Sequence, residues 1–199
     1  MPLTHTSGTF KLIGVCEMKN VLLSLLVFVM LTVTQALAYN MKDFTNDAKI
    51  ISALQMLEQS GEYDVFANLQ KNAVKIRFYN LSGYGTVYAT NSYDQYGRRV
   101  IYINSVYANA PTEQIACLIA HESMHVLRKA TLEEETIATQ KEAACWAKLK
   151  RSSVSYTDNK LTRRLDKLAD LRTASYEDGT DYIHNKIASS SFYKAQFGI

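Results

Sequence analysis

The stretch that most constrains this chain is His121-Glu122-Ser123-Met124-His125, flanked by the uncharged runs Cys117-Leu118-Ile119-Ala120 and Val126-Leu127. On an α-helix, residues four apart lie about one turn from each other on one face. His121 and His125 can therefore present two imidazoles to one metal ion, with the carboxylate of Glu122 beside them. Flanks without charge are what a helix buried behind a sheet requires.

The rest of the sequence sets the compartment. A length of 199 residues, a net charge of +3 and 47% hydrophobic content fit an ordinary globular chain and give nucleic-acid binding no support. Met18-Lys19-Asn20, the apolar run Val21 to Val33 and the ending Ala36-Leu37-Ala38 form the three parts of a secretory signal peptide. Cleavage is expected after Ala38. The run is shorter than the roughly 20 residues that span a bilayer, so no stable membrane insertion is expected after cleavage. Met18 reads as the initiator, which makes residues 1–17, with Cys16, an upstream extension. Residues 1–38 are thus extension plus signal peptide, and 39–199 a single secreted or periplasmic domain. Losing Lys11, Lys19 and Glu17 lowers its net charge by one, to +2.

Within that domain, Ala48, Ile51, Leu54, Met56 and Leu57 predict a helix over Thr45 to Gln59, stopped at Ser60-Gly61. Tyr63 to Asn72 predicts a short second one. Val74, Ile76 and Phe78 alternate with Lys75 and Arg77, the period of a half-buried strand. Ser82 to Gly85 reads as a turn, Thr86 to Thr90 as a second strand, Asn91 to Gly97 as a loop and Arg99 to Asn104 as a third strand. A small antiparallel sheet is expected. Pro111 suits the start of the pentad helix, expected over Pro111 to Arg128. Thr131-Leu132-Glu133-Glu134 matches a capping box, opening a second long helix to about Arg151. Leu161, Leu165, Leu168 and Leu171 then mark a further amphipathic helix whose leucines belong to the core. Tyr176, Tyr182, His184, Tyr193 and Phe197 fall in a stretch without a clear period.

A catalytic zinc keeps three protein ligands and one open position, so two histidines require a third partner, and Glu133, Glu134, Glu135 and Glu142 are the downstream candidates. Here the chain resembles the gluzincins, zinc metallopeptidases with His-Glu-x-x-His on one helix and a glutamate ligand on the next. Several members carry an alanine three positions after that glutamate, a spacing that Glu135-Thr136-Ile137-Ala138 reproduces. The resemblance points to Glu135 as third ligand beside His121 and His125, with Glu142 and Glu134 as alternatives. Nine residues between His125 and Glu135 are fewer than in the better-known families, and Thr139 stands where some carry an acidic or amide side chain. The resemblance covers Val74 to Arg151 in layout and is specific at the pentad.

It implies an α+β, zincin-like fold: a small antiparallel sheet packed on the His-Glu-x-x-His helix and a following glutamate helix, with C-terminal helices. It also implies a secreted zinc-dependent peptidase acting on protein or peptide substrates, with a zinc-activated water and Glu122 as general base rather than ligand. Such enzymes hold extended substrate along an edge strand, for which Arg99 to Asn104 is the candidate. Tyr182 and His184 remain unassigned as oxyanion stabilisers. The alternative is a secreted, non-catalytic binding module that keeps the fold. A di-iron protein needs a second Glu-x-x-His; the chain offers only Asp181-x-x-His184.

Cys117 and Cys145 would remain after leader removal, in a compartment where disulfides persist. Both lie 14 residues from Thr131. If the two helices turn there, the cysteines share one level, and a disulfide clamping the helices is expected.

Overall fold

The structure, a computed structural model, describes residues 39–198 apart from 86 and 153. The expected signal peptide, its expected cleavage point and Cys16 lie outside the described residues. Among those described, no helix is long and apolar enough to cross a membrane. The described residues form an α+β fold, with seven α-helices and a three-stranded sheet among them.

Helix α1 (Ala48–Gln59) begins where Asp47 accepts hydrogen bonds from the amides of Lys49 and Ile50, at 2.9 and 3.1 Å. It buries Ile50, Ala53, Leu54 and Leu57, and the chain leaves it through Gly61, whose φ of +78° suits glycine. Helix α2 (Tyr63–Lys71) buries Val65, Phe66 and Leu69.

The sheet contains β1 (Lys75–Tyr79), β2 (Ala89–Tyr93) and β3 (Arg99–Asn104), in the order β1-β3-β2. It is mixed rather than antiparallel: β2 pairs antiparallel to β3 and β1 pairs parallel to it. The cause is connectivity. The segment after β1, with a 3-10 turn at Ser82–Tyr84, carries the chain past the position beside β1, and β3 then returns through a turn at Asp94 to Arg98 into the gap. That makes β3 the central strand, with Val100, Ile101 and Ile103 buried, and corrects its assignment as a substrate-binding edge. The edge on the site's side is β2. It starts three residues later than expected, because Thr90-Asn91-Ser92 is a polar strand that carries no apolar alternation.

Helix α3 (Thr112–Met124) carries the first four residues of the pentad and buries every residue from Glu113 to Ser123. Helix α4 (Leu132–Leu149) packs beside it, and α5 (Lys160–Asp178) covers α4. Leu161, Leu165 and Leu168 are buried, as the leucine spacing predicts. The short helices α6 (Tyr182–Ser189) and α7 (Ser191–Phe197) close the chain. Ala143, Leu168, Ile183 and Ile187 form the core beneath them, and Tyr193 and Phe197 pack against it. This apolar contact sets Tyr193 next to the pentad.

Candidate metal centre

Helix α3 stops at Met124, four residues before its expected end, and His125 is extended at φ −72°, ψ 103°. The sheet supplies the reason. Asn91 on β2 donates to the carbonyls of Glu122 and His125, at 3.0 and 3.1 Å, and Arg99 on β3 donates to the carbonyl of His125. Helix-end carbonyls need such partners. On the other side, the amides of Val126 and Leu127 donate to Glu134 at 2.7 and 2.8 Å. Only half of the capping box forms: Thr131 caps the Glu134 amide at 3.1 Å, while the Glu134 carboxylate is spent on those two amides.

Three of the four candidate glutamates reach the histidines, each differently, while Glu133 is exposed. Glu134 lies 3.4 Å from His125 Nδ1, and Glu142 lies 3.0 Å from His121 Nδ1, off the straight line of an ideal hydrogen bond. A carboxylate beside each Nδ1 favours the tautomer with hydrogen there, which leaves both Nε2 atoms as the inward donors. The two Nε2 atoms are 3.2 Å apart, and the Glu135 carboxylate is 3.5 Å from that of His121 and 3.4 Å from that of His125. Donors about 2.0–2.1 Å from a tetrahedral ion are separated by about 3.3–3.4 Å, so the spacing fits. His121, His125 and Glu135 thus form a group that could hold a metal ion, with one donor atom from each inside 4.8 Å.

Charge points the same way. Glu122, Glu134, Glu135 and Glu142 are all buried, and among the described residues Arg164 is the one permanent cation paired with any of them, through Glu142. Facing nitrogen lone pairs and excess buried carboxylates both call for a positive charge. Without metal, a proton serves. Burial alone would lower the pKa of His121, but Glu142, then Glu122 and Glu135, outweigh burial and lift it to about 9. A metal ion must displace that proton. Affinity for a divalent metal ion is therefore expected to rise with pH until His121 deprotonates near 9, with about one proton released per ion at pH 8. Calorimetry in buffers of different ionisation enthalpy measures the release.

Glu122 is buried beside the group, and its carboxylate accepts no hydrogen bond from any described residue. Burial lifts its pKa above the usual carboxylate range; Glu135 and Glu142 reinforce this against His121 and His125. Tyr193 on α7 donates to Glu135 at 2.6 Å, and burial and Glu135 hold its phenol protonated. His121, Glu122, His125, Glu135, Glu142 and Tyr193 line one cleft of about 800 Å³ between β2, the segment after α3, and α7.

Tyr193, Asn91, Arg99 and Arg164 are the site residues that sequence reasoning missed. Asn91 fell in an expected loop, and Tyr193 in a stretch without a period. Tyr182 and His184 lie off the cleft: the Tyr182 hydroxyl donates to Asp178, and His184 meets Thr136.

The expected disulfide is not formed. Cys117 and Cys145 are side by side at the shared level, buried and free. Burial pushes the Cys117 thiol well up, away from the thiolate that disulfide chemistry needs.

No protein-family model, no curated protein and no solved structure matches the chain.

Proposed function

We propose that the chain is an exported zinc-dependent metallopeptidase with a zincin-like arrangement of sheet, pentad helix and glutamate helix. The observation that carries this reading is the convergence of His121 Nε2, His125 Nε2 and the Glu135 carboxylate, with each Nδ1 backed by its own carboxylate. Two imidazoles and a carboxylate are the donor set of catalytic zinc sites in peptidases, and three protein ligands leave a position for substrate.

Zinc there supplies Lewis acidity, polarising a scissile carbonyl and lowering the pKa of water toward neutrality. The other steps belong to the chain. Glu122, uncommitted and less acidic than a solvated carboxylate, accepts a proton from the attacking water and passes it to the departing amide nitrogen. Edge strand β2 holds the peptide. Tyr88 accepts from the Asn104 amide and Asp94 donates to Arg98, which assigns even-numbered residues to the pairing with β3. The backbone groups of Ala89, Asn91 and Tyr93 therefore face outward along the cleft, the template an extended peptide needs. Tyr193 fixes the Glu135 carboxylate and blocks its rotation away from the histidines.

The test is digestion of an unfolded, sequence-diverse protein by the form starting at Tyr39. Cleavage that a chelator abolishes and added zinc restores is expected. Cleavage indifferent to chelation removes the metal from the reaction, and a zinc-loaded protein that cuts nothing favours a non-catalytic binding module.

A further inference from the structure

We propose that the cleft selects peptides carrying a carboxylate, read by Arg99 in its wall and by Arg128 and Lys129 at its rim. This deepens the peptidase reading and rests on it. Arg99 is 7% exposed, lines the cleft and has no carboxylate partner among the described residues. One of its nitrogens donates to the carbonyl of His125, but its buried Nε has no partner. A guanidinium carries five donors and stays charged, so burying one without a counter-ion is unfavourable unless a ligand supplies the anion.

Arg128 and Lys129 repeat the pattern at the surface. Both are exposed, both line the cleft, and neither pairs with a carboxylate among the described residues. Arg99 and Arg128 share the ring of Tyr93, with guanidinium carbons 5.9 and 5.4 Å from its centroid. Tyr93 ends β2, so the two cations stand at the end of the strand that holds the peptide. Nearby carboxylates do not cancel all three: Glu135 and Glu122 balance a dication, Glu142 is paired with Arg164, and Glu134 offsets one cation. The cluster keeps a positive excess, and a peptide carboxylate complements it.

That carboxylate can be an acidic side chain or a free C-terminus, and binding separates the two. The probe is a fluorescent, neutral, C-terminally amidated peptide. Its variants carry glutamate at each position in turn, or a free C-terminal carboxylate. Anisotropy is read on the zinc-loaded Glu122→Gln protein, so that binding is measured without turnover. At least one carboxylate-bearing probe should bind about tenfold more tightly than its parent, the effect of one charge-assisted hydrogen bond. Preference for glutamate identifies a side chain, and preference for the free acid identifies the C-terminus. Adding Arg128→Gln and Lys129→Gln, on an exposed segment, should shrink the preference at least about threefold and leave the parent peptide's affinity unchanged. Adding Arg99→Gln should remove it, with retained zinc as the control that His125 is still held.

Probes that all bind within about twofold of the parent overturn the proposal, as does a preference that survives loss of all three cations. Cleavage by the unsubstituted protein without any carboxylate preference defeats this proposal alone. A preference without cleavage defeats only the peptidase reading.

Discussion

Glu122→Gln is expected to lower kcat by about a hundredfold to ten-thousandfold while the protein keeps its zinc, the range for loss of a general base. The two properties separate because Glu122 is not among the three converging donors. The amide is nearly the same size as the carboxylate and cannot take a proton, so the surroundings of His121 and His125 stay filled. KM should change far less than kcat, because the lost interaction belongs to the transition state. Steady-state kinetics beside metal analysis makes the comparison. Full activity in the variant refutes the role given to Glu122, and loss of zinc with activity would make it a ligand.

The second large effect lies behind the centre. Glu142 is fully buried between His121 and Arg164. Arg164→Met leaves that carboxylate without its permanent counter-ion, and the metal-free protein is expected to lose about 2–4 kcal/mol. The figure is below that for a completely buried pair because a quarter of the Arg164 side chain reaches solvent. Burial raises the pKa of Glu142, but Arg164 and His121 outweigh it and hold the carboxyl below its usual value. Its contribution is therefore present above the unfolded-state pKa and is lost as pH falls through the lower folded-state value. Glu142→Gln on the Arg164→Met background should recover part of the loss, since the uncompensated charge goes with it. Glu142→Gln alone should weaken zinc binding about tenfold to a hundredfold, the usual effect of removing a carboxylate behind a metal-binding histidine. Urea unfolding of the metal-free variants and a competitive zinc titration read the two effects.

What the sequence revealed and what it hid divide along physical lines. Local pattern was enough for α1, β1 and the buried stripe Leu161, Leu165 and Leu168, where one face carries the apolar residues, and for β3, whose apolar run is buried on both faces. Spacing within one helix was enough to bring His121 and His125 together. Spacing could not rank Glu134, Glu135 and Glu142. All three lie on one helix beside the histidines, and only the tertiary approach of α3 to α4 decides which nitrogen each meets. Strand order was hidden for the same reason: a crossover leaves no mark on residue alternation, so a mixed sheet with β3 at its centre looked like a meander with β3 at its edge. The end of α3 was invisible because its terminator is tertiary. No glycine or proline stops it; Asn91 and Arg99, arriving from the sheet, take its last carbonyls. Tyr193 lies 58 residues beyond Glu135, on a helix whose position comes from packing on Ile183, Ile187 and Leu168. The cysteine pair shows both sides: counting from Thr131 predicted that Cys117 and Cys145 meet, and they are buried as free cysteines rather than joined in a disulfide.

Zinc-edge X-ray absorption on the zinc-loaded protein probes the donor set itself. Two imidazole nitrogens with oxygen neighbours at about 2.0–2.2 Å and no sulfur is the spectrum expected for His121, His125 and Glu135. A sulfur shell at about 2.3 Å, or fewer than two imidazoles, would place the metal elsewhere and contradict the account.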